Sequence, residues 1–175
     1  MNERLQNPRK HGYLTLRSLA GLLILFVIVE CAALFIHPFG SVSASSGDAP
    51  LMNTANIDQP VLDVMQRSCQ NCHSDRTSWP WYSHIAPVSW LIQKDVHNGR
   101  DHWNMSKWDQ YSLDQRQDIL SQMGPMIRNR QMPLPKYLAL HPEAKLTDAD
   151  VDLIYRWSRS ERKRIKSQNS QLSSR

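Results

Sequence analysis

Cys69-Gln70-Asn71-Cys72-His73 is the stretch of this chain whose residue types and spacing point most directly to chemistry. Two residues between two cysteines let both sulfurs face one edge of a porphyrin, where each thiol can add across a vinyl group. A histidine directly after the second cysteine is then carried beneath the ring as proximal ligand to the iron. The pattern therefore implies one covalently attached c-type haem held by Cys69, Cys72 and His73. A zinc half-site would need a second ligand pair of matching kind downstream, and none is present. A thiol–disulfide motif would need a thioredoxin-like βαβ context, which the sequence lacks.

The ligand on the other face of the iron is open to several residues: Met105, Met123, Met126, Met132, His84, His97, His102 and His141. A distal methionine comes most readily from a loop that returns opposite the proximal helix. Met132 stands in Gln131-Met132-Pro133-Leu134-Pro135, where prolines stiffen the chain and lower the entropic cost of holding a flexible thioether. Met123 fits better as core on a helix. For each histidine, a polar surface or pocket role is the simpler reading.

These groups need elements to position them. A helix is expected to begin near Asp58 or Gln59 with Pro60 in its first turn, and Val61, Val64, Met65, Ser68, Cys69 and Cys72 recur at helical spacing on its buried face. Residues 74–87, dense in Trp, Pro and Tyr, read as irregular. A second helix is expected from about Pro87 to Asn98, with Gly99 as its stop. A third begins at Ser112, with Gln115 three residues on as a capping box, and Gly124-Pro125 weakens or kinks it. Residues 131–142 hold three prolines and read as a loop. A last helix starts at Thr147, where Asp148 and Asp150 complement its positive end. No stretch alternates like a strand, so the domain is expected to be all-α, a cytochrome c-like fold wrapped around one haem.

The 175 residues suffice for one such domain and an anchor. Residues 19–36 are nearly all apolar, and with 14–18 they are long enough to span a hydrocarbon core of roughly 30 Å. Arg4, Arg9, Lys10 and Arg17 precede this run, and no Lys or Arg comes after it before Arg67. The positive-inside rule then puts the basic N-terminus, residues 1–13, in the cytoplasm and the haem domain in the periplasm, with 14–37 as a single-pass signal anchor in the inner membrane. Cleavage after Val42-Ser43-Ala44 is the competing reading, but the apolar run exceeds the usual cleaved segment. Glu30 reads as a tolerated acid near the outer end of the span, and Cys31 as a small filler. Residues 38–57 read as linker, 58–166 as the haem domain and 167–175 as a polar tail. The net charge of +5 is moderate and its basic residues gather at the two ends, which marks no nucleic-acid groove.

At two stretches the chain resembles the bacterial haem-binding domain family, which look like single-haem cytochromes c behind a membrane anchor. They are CQNCHSDRTSWPWYSHIAPVSWLIQKDVHNGRDHWNMSKW, residues 69–108, and QMPLPKYLALHPEAKLTDADVDLIYRW, residues 131–157. The resemblance implies Cys69 and Cys72 as attachment points, His73 as proximal ligand and Met132 as distal ligand. The chain departs from the family pattern at Leu134, where a second proline often comes after the Met-Pro pair. Trp79, Trp81, Tyr82, Trp90, Trp103 and Trp108 suit either a haem pocket, with indole N–H groups or Arg100 reaching propionates, or ordinary core.

A His/Met-ligated iron changes little between redox states, and no catalytic acid, base or nucleophile set accompanies it. The expected function is one-electron transfer to an unspecified redox partner, a carrier rather than a catalyst. The alternatives are a haem-based sensor of small ligands, or a subunit of a larger membrane complex docked through Glu30 or the basic residues 156–166.

Overall fold

The computed structural model describes residues 9–33, 36 and 50–174, the side chains of 9–14, 172 and 173 excepted. Arg4, residues 37–49 of the expected linker and the cleavage site after Ala44 lie outside the described residues. All regular structure among the described residues is helical, as the sequence pattern requires. They fall into two compact units, one drawn from Met1–Ser41 and Pro80–Ile92, the other from Val42–Trp79 and Gln93–Arg175.

The first unit contains α1, Arg9–Ala33, whose segment Thr15–Ala33 is long and apolar enough to cross a membrane and is almost wholly exposed. It also holds a 3-10 turn at Trp81–His84 and the first turns of α4, Val88–His102.

The second unit carries the motif. α2, Gln59–Ser68, begins as expected after Asp58 with Pro60 in its first turn, and buries Val61, Val64, Met65 and Ser68. It does not run on through the cysteines. At Cys69 the backbone leaves helical geometry (φ −123°, ψ −30°), and a separate turn, α3, Gln70–His73, carries Cys72 and His73. α5, Leu113–Arg128, has the Ser112–Gln115 capping box and continues through Pro125. α6, Pro135–Leu138, lies inside the stretch read as a loop, because a proline, disfavoured in a helix interior, is well suited to a helix's first turn. α7, Asp148–Ser173, starts on a Thr147–Asp150 capping box and continues past residue 166 through the segment read as tail.

α5 packs on α7 so closely that a Cβ on Gly124 would lie 3.0 Å from the Tyr155 ring. The core beside them is Met65, Met105, Trp108, Leu120, Ile127, Ile154, Trp157 and Ile165. Part of the expected linker belongs to it. Leu51 is buried and Met52 is 1% exposed, its N–H donating to the Met105 carbonyl at 2.9 Å. Apolar side chains in a stretch without periodicity found a groove in the domain rather than solvent.

That segment is latched by a buried acid. Glu161 is 2% exposed and accepts from Arg164 Nε and Nη2, each at 2.6 Å, and from the Asn56 N–H at 3.2 Å, while Trp157 Nε1 donates to the Asn56 carbonyl. A buried carboxylate without its cation is costly, yet Arg164 is itself 31% exposed, so water can partly replace it. Arg164→Ala should lower stability by about 1–2 kcal/mol, read as a lower denaturant midpoint with unchanged slope. An unchanged midpoint would mean that solvent already screens the pair.

Candidate functional site

The Cys-Gln-Asn-Cys-His turn closes on itself through its backbone. Cys72 N and His73 N both donate to the Cys69 carbonyl, at 3.2 and 3.0 Å, so the two thiols and the imidazole leave one short turn together. Side chains brace the chain beyond it. Ser74 Oγ donates to the Gln70 carbonyl, Thr77 Oγ1 to the Asn71 carbonyl, and the Asn71 Oδ1 accepts from Ser78 N. Arg100 reaches back from α4, donating from Nε to the Ser74 carbonyl and from Nη2 to Thr77 Oγ1, both at 2.9 Å. In this structure its guanidinium therefore holds the post-motif loop, a use that the sequence did not signal.

α4 lies against the turn at Gly99. The helix continues through this glycine to His102 rather than stopping there. A Cβ at Gly99 would stand 2.5 Å from the Cys72 carbonyl oxygen, a contact that real Cβ atoms essentially never make. The glycine is thus required by the close approach, not by helix termination.

Both thiols are free. Burial pushes Cys69 up to about 12, with Cys72 adding and Arg67 opposing. Burial pushes Cys72 up to about 11, with Asp95 adding and Lys136 and Arg100 opposing. Disulfide formation proceeds through the thiolate, so the burial that keeps both thiols protonated slows their closing on each other.

His73 is held for ligation. Its Nδ1 lies 3.2 Å from the Trp103 carbonyl, and its ring stacks on the Trp103 indole with centroids 4.8 Å apart. A carbonyl can only accept, so Nδ1 carries the proton and the lone pair is on Nε2, the pattern of metal-ligating imidazoles. Burial holds its pKa below the ordinary histidine value, against the opposing pull of the Trp103 and Gly99 carbonyls. The neutral, ligating form is thereby favoured.

Met132 lines a concavity of about 650 Å³ with Pro133, Leu138 and Leu146, and Cys69, Cys72 and His73 are not among the lining residues. The charged rim includes Arg130, which donates to the Leu146 carbonyl and pairs with Asp148. The segment after Met132 is nevertheless tied to the motif. Asn71 Nδ2 donates to Tyr137 Oη at 2.9 Å, and Lys136 pairs with Asp95 of α4 at 2.8 Å.

The other candidate ligands have structural occupations. Met105 is fully buried core, and Met123 packs against that core from the side. Met126 is half-buried, and its carbonyl accepts from Gln131 N. His97 pairs with Asp101, His102 contacts the Asn98 carbonyl, and His141 stacks on Tyr137 beside Glu143. His84 is exposed. Of the tryptophans, Trp108 is core, Trp103 supports His73, and the Trp79 indole N–H is buried without a partner. An orphaned donor six residues beyond His73 suits the acceptor oxygens of a propionate.

Free thiols with two residues between them, an adjacent imidazole with Nδ1 set against a carbonyl, and an all-α scaffold fit a haem-binding protein. Residues 28–160 match the haem-binding domain family, and the chain belongs to it. No curated protein and no solved structure matches the chain.

Proposed function

We propose that this chain is a membrane-anchored, periplasmic cytochrome c with one covalent haem, His73 proximal and Met132 distal, and that it passes single electrons between membrane and periplasmic partners. The observation that carries this reading is the turn that sends Cys69, Cys72 and His73 out together with Nδ1 already bonded to Trp103. Haem c supplies a one-electron couple. The chain's residues attach and orient it. Each thiol S–H adds across one vinyl C=C, so nothing is lost and no oxidant is needed, and Gly99 and Arg100 keep the turn in place. Trp103 fixes the imidazole's tautomer and plane. Met132 would supply the thioether that raises the potential. The apolar α1 supports the anchor, and the basic residues at its N-terminal end support export of the haem domain.

Ferric protein should show the weak long-wavelength charge-transfer band of a thioether–iron bond. Met132→Ala should abolish that band and lower the potential, with covalent haem retained. A band that survives this substitution excludes Met132 as the ligand.

One observation favours the sensor reading, namely that the concavity lined by Met132 does not include Cys69, Cys72 or His73 in its lining. If no side chain fills the sixth position, ferrous protein will bind carbon monoxide at once and stoichiometrically. A six-coordinate carrier will not.

A further inference from the structure

We propose that the segment 80–92 lies in the membrane interface beside the exit of α1, with Trp81, Ile85, Val88 and Leu91 set among lipid headgroups and upper acyl chains. This rests on the reading of α1 as a membrane anchor.

The first observation is an inverted pattern of burial. Ser83 and Ser89 are buried, while Trp81 is 76%, Ile85 42%, Val88 40% and Leu91 48% exposed. A water-facing surface would be arranged the other way round, since burying hydroxyls and exposing large apolar groups both cost free energy. Ser83 is satisfied from within. Ser83 Oγ donates to the Pro80 carbonyl at 2.6 Å, and its N–H to the same oxygen.

The second observation is charge. From Thr77 through Gln93, 17 residues (93 − 77 + 1), there is no Lys, Arg, Asp or Glu, and then Lys94 and Asp95 come at once. A chain with 37 such residues in 175 leaves this stretch blank where it displays its apolar side chains.

The third observation says what covers the face. Trp90 Nε1 donates to the Ile36 carbonyl at 3.0 Å, and Ile36 N to the carbonyl of Ala33, the last residue of α1. The segment that carries the exposed side chains thus belongs to the same compact unit as the span, and its Trp90 meets the chain just past the end of the helix. A bilayer that surrounds Thr15–Ala33 presents its headgroup region at that level. Indole and phenol rings with an apolar body and one polar atom favour this zone, and Trp81, Tyr82 and Trp90 supply them.

The test uses full-length protein in the membranes of the cell that exports it, with a photoreactive benzoylphenylalanine in place of one residue at a time. Ile85 and Leu91 probe the proposed surface, Leu23 probes α1, and exposed Lys163 reports water. On irradiation, positions 23, 85 and 91 should each give phospholipid adducts by mass, at least tenfold above position 163. Adducts at 23 with none at 85 and 91 overturn the interfacial placement and keep the anchor. Adducts to protein at 85 and 91, whether to a second copy or to another chain, overturn it equally by showing a proteinaceous cover. No adduct at 23 overturns the anchor, and the inference with it. Because both probed side chains are exposed, the bulky probe meets no packing that could unfold the chain.

Discussion

Exported protein in which Cys69 and Cys72 are both replaced by alanine should give up all of its haem to acidified organic solvent. Either single replacement should retain it. On the proposed attachment each thioether would be an independent covalent bond, and one would suffice to resist extraction. His73 would still ligate in all three variants, so the double variant could bind haem reversibly, with imidazole as its only tether. The loss is therefore complete by extraction while the Soret absorbance of the native preparation falls only in part. Haem that survived extraction in the double variant would place the attachment outside the motif.

Gly99→Ala should lower stability by about 2–3 kcal/mol and the yield of covalent haem by on the order of tenfold. Overpacking into backbone sits at the upper end of its usual range, above about 3 kcal/mol, because the Cys72 carbonyl 2.5 Å away cannot swing aside as a side chain would. Alanine's better helix propensity returns about 1 kcal/mol. The remainder goes into displacing α3 from α4. That moves the sulfur and the imidazole together, so attachment suffers more than the fold does. Denaturant titration of the apoprotein and haem yield per chain separate the two effects. Wild-type values for both would show that the helix stands farther from the turn than this contact requires.

Features encoded within one or two turns were legible from the residues. The Ser112–Gln115 capping box, the start of α7 at Thr147 with its acidic first turn, Pro60 at the start of α2 and the all-helical character all rest on neighbours along the chain. The cofactor motif is local in the same way. Features that depend on contacts distant in sequence were not legible. Gly99 looks like a helix stop until the Cys72 carbonyl, 27 positions earlier (99 − 72), is set against it. Asn71 and Tyr137 carry no mutual signature across 66 residues, and Arg100 reads as a propionate partner until Ser74 and Thr77 are seen to engage it. Leu51 and Met52 were hidden because a turn has no period to read. The length of α7 is a different case. Ile154, Ser158, Glu161 and Ile165, all buried, keep helical spacing through the basic cluster, but none lies beyond residue 166, so the last turns to Ser173 carried no buried period to read.

The proposed covalent attachment of haem to this chain is most directly tested by the denatured mass of protein matured outside the cytoplasm. Two thiols adding across two vinyl groups lose no atom, so the expected mass is that of the polypeptide plus one whole haem. A mass equal to the polypeptide alone, or two protons lighter as for a Cys69–Cys72 disulfide, would contradict it.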